Sequence, residues 1–302
     1  AVARELIQAD VRTTLLISAK EVDRQAVAAI PEIPHLEIPA VALNMRRPLR
    51  FLLGLRSAIR QVRDQFANDQ PDAVLAMGGF TAAASIRVGC QIKIPTFLHE
   101  SNVVPGRANR FLSRWVDEIF IGFDAARKRF GQKKITESGT PVRSEFRNQN
   151  RDECCGRLGF DAAKPLILVT GGSQGARGVN RMVTGALPRL TDYLSDTQWL
   201  HLCGPHDLPE VKKAYGITCL RSAVHNFFHD MPSALGAADL VISRSGASSL
   251  AELAAANVPA ILVPLPTAAD DHQRANARAA AISGGVIVLE ETETTSDSFA
   301  EQ

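Results

Sequence analysis

Residues 239–253 read DLVISRSGASSLAEL, and this stretch decides the fold. It opens with a short apolar run, Leu240 to Ile242, that is typical of a buried β-strand. A helical pattern starts soon after Gly246, with hydroxyl groups at its beginning and a carboxylate about one turn later. A strand that leads through a glycine turn into a helix is the repeating unit of parallel α/β sheets, so the stretch predicts this architecture.

The same alternation extends along most of the chain. Short apolar runs predict strands at 13–18, 73–77, 95–99, 118–122, 166–170, 198–202, 240–243, 260–263 and 285–289. Helical patterns separate most of these runs, which predicts the α/β class with two doubly wound, Rossmann-like domains and parallel sheets. The turn-forming stretch SGTP at 138–141 is the predicted boundary, so the expected domains are residues 1–140 and 141–302.

Composition narrows the class of protein. The 302 residues are 45% hydrophobic and carry a net charge of +2, with no run near the ~20 apolar residues that cross a bilayer and no visible signal peptide. The five cysteines lack C-x-x-C spacing, which disfavours zinc and disulfide sites and fits a reducing cytosol. No cluster of metal ligands is evident. Positive charge is concentrated in residues 1–140, so this half is expected to face something anionic.

The stretch LVTGGSQGARGVN, residues 168–180, contains the first of two glycine loops that open a helix. Gly171, Gly172, Ser173 and Gly175 follow a predicted strand, and their backbone N–H groups could turn towards a phosphate at the helix N-terminus. No Gly-Lys-Ser/Thr follows, so the loop is not a P-loop. The alternative interpretation is an ordinary tight turn between strand and helix.

The opening stretch forms the second such loop. Ser248 and Ser249 stand at the beginning of the predicted helix, and the carboxylate of Glu252 is placed to accept two hydrogen bonds from a ribose diol. The alternative is a capping box made by Ser249 and Glu252. Two loops of this kind at the carboxyl ends of strands in one sheet favour ligand binding.

Polar residues also follow the predicted strand 260–263. Asp271 and Gln273 suit the recognition of sugar hydroxyls, whereas the alternative is helix capping by Asp270 or Asp271. The adjacent Asp270, Asp271 and His272 are a poor metal site because neighbouring side chains rarely point to one centre.

Two features of the first half carry candidate functional residues. Gly78 and Gly79 follow one predicted strand, and His99 and Glu100 end another, where they could form an acid/base pair. The alternative for His99 is a structural role.

A basic, apolar segment at 45–63 contains six arginines and no acidic residue. It predicts binding to an anionic membrane surface, the alternative being a helix with one core face and one solvated face. Nucleic acid is disfavoured by the near-neutral net charge. The predicted membrane patch comprises Arg46, Arg47, Arg50, Phe51, Leu52, Leu53 and Leu55.

Together these motifs resemble the MurG family of peptidoglycan glycosyltransferases, glycosyltransferase family 28. The matching segments cover most of the chain and are GGF at 78–80, HESNVVPGRANR at 99–110, GTPVR at 139–143, GGSQGARGVN at 171–180, SRSGASSLAELAAANVPAILVPLP at 243–266 and AADDHQRANA at 268–277. The resemblance implies a GT-B fold, with two Rossmann-like domains facing across a cleft. It also implies inverting transfer of N-acetylglucosamine from UDP-GlcNAc to the undecaprenyl-linked acceptor lipid I, which yields lipid II without a cofactor or metal.

The resemblance also assigns residues. The first domain would hold the acceptor and the membrane, with Gly78, Gly79, His99 and Glu100 lining the acceptor cleft. The second would hold UDP-GlcNAc. The implied donor-binding residues are Asn102, Arg143, Ser173, Phe228, Ala247, Ser248, Ser249, Leu250, Ala251, Glu252 and Gln273, with the glycine loop at the diphosphate. The implied location is the cytoplasmic face of the bacterial inner membrane, as a peripheral protein.

One departure from the family affects catalysis. The family's first glycine-rich loop, which contains a histidine often proposed to be catalytic, is expected before Ala1, and its final helices are expected after Gln302. The chain is therefore expected to be an internal fragment. Alternatives that remain are a nucleotide-sugar-binding fragment without turnover, or a related GT-B enzyme such as a glycolipid synthase or UDP-sugar epimerase. A dehydrogenase is disfavoured because neither loop has G-x-G-x-x-G spacing.

Overall fold

Every strand pair in the described part of the chain is parallel. The computed structural model describes residues 1–28, 30–39, 48–79, 81–172 and 175–302. The chain divides into two units, Ala1–Pro141 and Val142–Gln302, and the predicted boundary after Thr140 lies one residue from this division.

Within its described residues, the first unit contains six strands in two sheets, ordered β1-β2 and β3-β4-β5-β6. The strands are β1 (Leu15–Ser18), β2 (His35–Ile38), β3 (Val74–Ala76), β4 (Thr96–Glu100), β5 (Glu118–Ile121) and β6 (Lys134–Glu137). The helices are α1 (Val2–Gln8), α2 (Glu21–Ala28), α3 (Pro48–Asn68), α4 (Ala82–Ile92) and α5 (Arg107–Leu112), with a 3₁₀ segment at Asp124–Arg129.

The second unit is built on one six-stranded sheet. Its strands are β7 (Leu166–Thr170), β8 (Gln198–Leu202), β9 (Arg221–His225), β10 (Leu240–Ser243), β11 (Ala260–Leu262) and β12 (Val286–Val288). Its helices are α6 (Arg151–Leu158), α7 (Arg177–Tyr193), α8 (Leu208–Gly216), α9 (Met231–Ala237), α10 (Ala247–Ala256), α11 (His272–Ile282) and α12 (Ser296–Phe299), with 3₁₀ segments at Ser144–Phe146 and Ala269–Asp271.

The strands of this sheet are ordered β12-β11-β10-β7-β8-β9. The chain therefore builds the sheet outward in one direction from β7 and in the opposite direction from β10. Ligands of open α/β sheets bind at such a switch point, beyond the carboxyl ends of the strands. The register brings the ends level, because Thr170 lies opposite both Leu202 and Ser243, and Ser243 lies opposite Leu262. The loops that follow β7, β8, β10 and β11 therefore all leave the sheet at the same edge.

Burial explains why the sequence predicted the central strands. Residues 166–169 of β7 and all of β8 are buried, as expected for parallel strands covered on both faces. Each unit also contains one tryptophan. Trp199 on β8 is 1% exposed, and its indole N–H donates to Thr197 Oγ1, whereas Trp115 in the first unit is 37% exposed.

Sequence patterns missed β2, β6 and β9. Each of these strands lies at the edge of its sheet and is polar, with sequences HLEI, KITE and RSAVH. Edge strands have one solvated side and need no apolar run, so the pattern that identified the central strands is absent from them.

None of the described helices combines the length and the apolar composition that crossing a bilayer requires.

Two helical glycines of the second unit provide a test of packing. A methyl group on Gly156 of α6 would have open space around it, whereas one on Gly236 of α9 would lie 2.6 Å from Gln149 Cβ and 2.9 Å from Cys154 Sγ. Gly156→Ala is therefore expected to stabilise the fold by about 0.5–1 kcal/mol. Gly236→Ala is expected to destabilise it by about 1–3 kcal/mol through overpacking. Denaturant unfolding of both variants measures this, and equal effects would contradict the described packing of α6 on α9.

Candidate active site

A cavity of about 380 Å³ lies in the first unit, at the carboxyl ends of β3 and β4. It brings together five residues that sequence reasoning selected: Gly78, Gly79, His99, Glu100 and Asn102. The remaining lining residues are Met77, Ser101, Gly106, Arg107, Ala108 and Asn109.

The buried carboxylate of Glu100 organises this cavity. One oxygen accepts from the backbone N–H and the side-chain amide of Asn102, at 2.9 and 3.0 Å. The other accepts from Gly106 N at 3.0 Å and from Asn109 Nδ2 at 2.8 Å. Four N–H donors hold the carboxylate, so its geometry favours positioning of the loop 101–106 and of α5 over proton transfer.

The buried His99 uses both ring nitrogens. Its Nε2 lies 2.9 Å from the carbonyl oxygen of Gly139, and its Nδ1 lies 3.3 Å from Ser101 Oγ. Because a carbonyl only accepts, the network assigns the proton to Nε2 and leaves Nδ1 as the acceptor from Ser101. His99 and Glu100 therefore have different partners, and the acid/base pair stays a prediction.

Sequence reasoning did not single out Asn109, which lies in the first turn of α5. Its Nδ2 donates to Glu100 Oε2 and to the carbonyl oxygen of His99, which fixes the orientation of the amide. Its Oδ1 is buried and has no hydrogen-bond partner within the described residues. The side chain borders Gly78 and lines the cavity, so the buried, unsatisfied Oδ1 belongs to the wall of the cavity. The only sequence signal was its place within the segment 99–110.

In the second unit, the predicted glycine loop is a tight turn. Gly172 and Gly175 have φ of +81° and +73°, which other residues rarely adopt, and Gly175 N donates to Gly172 O at 2.9 Å. The helix α7 starts at Arg177, directly after the turn. Its first N–H groups and its dipole suit an anion at this point. The predicted contact residue Ser173 lies outside the described residues.

The second predicted loop leads into α10, whose N-cap is Gly246. The capping-box alternative is therefore wrong, since Ser249 is the third residue of the helix and Gly246 has no side chain to cap it. Ser248 is exposed and Ser249 is half-buried.

The remaining predicted contacts on α10 differ in their exposure. Ala247 and Leu250 are buried, and Ala251 is half-buried. Leu250 N also donates to Gly246 O at 3.0 Å, so a contact of Leu250 with a ligand is the least supported of the set.

Glu252 is half-buried on α10. Burial raises the pKa of its carboxyl above the ordinary value, and the positive charge of Arg143 acts in the opposite direction. The structure thus brings the predicted residues Arg143 and Glu252 into electrostatic reach. Arg143 stacks on Phe146, with its guanidinium carbon 4.9 Å from the ring centroid. The predicted Phe228 follows the edge strand β9, where its ring lies 5.4 Å from His225.

Gln273 stands at the beginning of α11 and links two loops. Its Oε1 accepts from Leu265 N at 3.0 Å, and its carbonyl oxygen accepts from Ser245 Oγ at 2.8 Å. Asp271 is the N-cap of α11 without a side-chain cap bond, and it pairs with Arg274 at 3.1 Å instead, so capping by its carboxylate is wrong. The sequence did not predict that Ser245 links the loop after β10 to the beginning of α11 through this hydrogen bond.

The predicted membrane patch is only partly described. Leu52 and Leu53 on α3 are 50% and 64% exposed, whereas Leu55 packs against the core. The opposite face is buried through Ala58, Val62 and Phe66, so the helix is amphipathic. The alternative interpretation, a helix with one core face and one solvated face, predicts the same pattern. Outside the described residues lie Arg46 and Arg47, and the side chains of Arg50 and Phe51.

Known proteins resemble this chain over both units. Residues 1–121 match the glycosyltransferase family 28 N-terminal domain, and residues 166–302 match the family's C-terminal domain. Relatives from Prochlorococcus marinus and Listeria welshimeri are 40% and 37% identical over 88% and 83% of this chain. The chain covers 72% and 68% of those relatives, and 66% of one from Anaeromyxobacter that is 36% identical, so it spans about two thirds of their length.

All three relatives are named UDP-N-acetylglucosamine–N-acetylmuramyl-(pentapeptide) pyrophosphoryl-undecaprenol N-acetylglucosamine transferase. Among solved structures, Acinetobacter baumannii MurG is 27% identical and superimposes with a TM-score of 0.76 over 99% of this chain and 84% of its own. A UDP-GlcNAc 2-epimerase from Neisseria meningitidis shares the fold, with a TM-score of 0.68 and 12% identity over 99% of this chain and 85% of its own. The predicted GT-B class with two parallel α/β domains is confirmed, and the chain belongs to glycosyltransferase family 28 and, within it, to the MurG group of N-acetylglucosamine transferases.

Proposed function

We propose that this protein transfers N-acetylglucosamine from UDP-GlcNAc to the undecaprenyl-linked acceptor lipid I, with inversion at the anomeric carbon. The names of its relatives support the substrates. The observation that carries the proposal is the shared edge of the second unit's sheet, where the glycine turn, the beginning of α10 and the beginning of α11 follow strands that end level. These three elements match the phosphates, the ribose and the sugar of one nucleotide sugar.

The donor contacts follow from this arrangement. The diphosphate lies on the glycine turn at the N-terminus of α7, where N–H groups and the helix dipole favour negative charge. Glu252 accepts hydrogen bonds from the two ribose hydroxyl groups, and the positive charge of Arg143 favours the charged form of the carboxylate against the effect of burial. Gln273 keeps its Nε2 hydrogens for the sugar hydroxyls, because its Oε1 is already bonded to Leu265 N.

The glycosyl acceptor, lipid I, occupies the cavity of the first unit. Asn109 Oδ1 has no hydrogen-bond partner there among the described residues, and leaving a buried hydrogen-bond acceptor without a hydrogen-bond donor costs about 1–3 kcal/mol. A hydroxyl or amide hydrogen of the acceptor's sugar satisfies it. Glycosyl acceptors are rich in such donors, which is why this cavity supports a sugar substrate.

The reaction forms one bond and breaks one. The acceptor hydroxyl oxygen bonds to the anomeric carbon of N-acetylglucosamine, while the bond from that carbon to the β-phosphate oxygen breaks and UDP takes the electron pair. The α7 N-terminus stabilises the charge on the leaving diphosphate. Of the two predicted catalytic residues, His99 is the better acceptor for the hydroxyl proton, because its Nδ1 accepts only one hydrogen bond, from Ser101 Oγ at 3.3 Å, whereas Glu100 is held by four donors.

The exposed leucines of α3, within a segment rich in arginine, bind an anionic membrane surface and bring the first unit to its lipid-linked acceptor. The corresponding location is the cytoplasmic face of the bacterial inner membrane, as a peripheral protein.

The decisive experiment has two stages. Calorimetric titration with UDP-GlcNAc, UDP-GalNAc and NADH tests the donor, and saturable binding that prefers UDP-GlcNAc is expected. Incubation with UDP-GlcNAc and lipid I then tests transfer, with lipid II and UDP as the expected products. Binding without transfer would support the alternative of a nucleotide-sugar-binding chain, epimerised UDP-sugar would support an epimerase, and binding of NADH alone would refute the donor assignment.

Glu252→Gln is expected to weaken UDP-GlcNAc binding by roughly tenfold or more, because it removes the negative charge and replaces one of the two acceptor oxygens by an NH₂ donor. The matched control is Glu210→Gln, which changes an exposed glutamate on α8 and leaves the affinity unchanged. Calorimetry measures both, and equal affinities for the wild type and Glu252→Gln would rule out the ribose contact.

The raised pKa of Glu252 predicts a dependence on pH. Its folded pKa lies above its unfolded value, so the carboxyl stabilises the fold at low pH and loses this contribution as the pH rises through the folded pKa. Glu252→Gln is therefore expected to raise the thermal midpoint at pH 7, with the gain disappearing below about pH 4, where the unfolded chain also binds the proton. Thermal scans between pH 4 and pH 8 measure the difference, which should not be seen for Glu210→Gln.

Asn109→Ala is expected to lower kcat/KM for lipid I by roughly tenfold, because the cavity loses the oxygen atom that accepts a hydrogen bond from this substrate. The affinity for UDP-GlcNAc should stay within about twofold, since that site lies in the other unit. A parallel loss of donor affinity would show that Asn109 does not act on the acceptor.

Leu53→Glu is expected to reduce partitioning onto vesicles that contain anionic lipid by about fivefold or more, because it adds a negative charge to an apolar, basic surface. Ile282→Glu is the matched control, since Ile282 is 88% exposed on the second unit. Sedimentation with vesicles measures both variants. Equal partitioning would mean that α3 does not face the membrane.

A further inference from the structure

A buried network of four polar side chains lies behind the glycine turn of the second unit. His201 of β8 lies between Asn180 of α7 and Tyr215 of α8, with Nε2 3.0 Å from Asn180 Oδ1 and Nδ1 3.3 Å from the Tyr215 hydroxyl. Asn180 Nδ2 donates in turn to Asp207 Oδ2 at 2.8 Å. All four residues are less than 10% exposed, so none can contact a ligand that lies on the surface of the turn.

The hydrogen bonds of this network have one consistent direction. Asn180 Nδ2 is committed to acceptors, so Asn180 Oδ1 must accept, and His201 Nε2 must carry the proton that it accepts. His201 Nδ1 is then bare and accepts the hydroxyl hydrogen of Tyr215. Burial lowers the pKa of His201 to about 3 and raises the pKa of Tyr215, so both stay neutral and the direction is the same throughout the physiological range.

The network ends on the backbone that supports the glycine turn. Asn180 Nδ2 also donates to the carbonyl oxygen of Cys203, at 2.8 Å. That carbonyl and Gly204 Cα lie directly against Gly175, where a side-chain carbon would overlap both. Asn180 therefore fixes the surface against which the last glycine of the turn packs, and its own N–H donates to Ala176 O at 2.8 Å.

We infer that His201 and Asn180 are positioning residues for the diphosphate of the donor. His201 fixes the orientation of the Asn180 amide, and Asn180 holds the Cys203 carbonyl against Gly175, which positions the N-terminus of α7 so that its first N–H groups meet phosphate oxygens. This inference rests on the proposed binding of a uridine nucleotide. The contribution is specific to the phosphates, because the network reaches the turn after β7 and not the α10 residues assigned to the ribose.

The test compares UDP with uridine, which lacks phosphates. Asn180→Leu keeps the size of the side chain and removes its three hydrogen bonds, so it is expected to weaken UDP binding by roughly tenfold to a hundredfold while uridine binding changes less than about twofold. Tyr215→Phe is the matched control, because it removes one hydrogen bond of the same network at the end that does not touch the turn. It should leave the ratio of UDP affinity to uridine affinity unchanged.

A second variant keeps the inference testable if Asn180→Leu does not fold. His201→Leu leaves Asn180 in place but removes the donor that orients its amide, so the same loss of the UDP-to-uridine ratio is expected. Calorimetry for UDP and proton NMR titration for uridine supply the two affinities.

The outcomes separate two failures. An unchanged ratio in the variants, an equal loss for both ligands, or the same effect in Tyr215→Phe would overturn the positioning role and leave the proposed function intact. A wild-type chain that binds neither ligand would overturn the proposed donor site itself.

Discussion

The parallel pairing of β7 with β8 on one side and β10 on the other is the constraint on which the second unit depends. Backbone hydrogen bonds place Thr170, Leu202 and Ser243 at one level, so the segments that leave these strands start side by side. A slip of one residue in either pairing would turn buried side chains to the opposite face and separate the loops. The chemistry of the edge is therefore a consequence of the register.

Polar side chains in both units are used mainly to hold loops in place. Glu100 gathers four N–H groups in the first unit, and Ser245 and Gln273 join neighbouring loops in the second. Loops that are ordered before a ligand arrives require less loss of conformational freedom on binding. Among the described residues, Asn109 Oδ1 is left as a buried oxygen without a hydrogen-bond partner, which is why the proposed acceptor site is centred on it.

The sequence predicted the parts whose signal is local. The strands β7, β8 and β10 were predicted residue for residue, because burial on both faces leaves short runs that are mostly apolar. The first glycine loop was visible because Gly172 and Gly175 adopt positive φ angles, which other residues rarely do. The polar edge strands were missed. Asn109 and the role of Ser245 were also missed, because their hydrogen-bond partners lie in other segments, and the sequence alone does not show that these segments are neighbours. The capping box failed for a local reason, because the helix starts at Ala247, two residues before Ser249.

The two tryptophans have a practical consequence for spectroscopy. Trp199 is enclosed within the sheet of the second unit, and Trp115 is partly open to water beside Phe111 in the first. An enclosed indole emits at shorter wavelength and resists aqueous quenchers, whereas an open one emits further to the red and is readily quenched. The protein thus carries one intrinsic fluorophore per unit, with separable signals, and the melting of each half can be followed in the intact chain without a label.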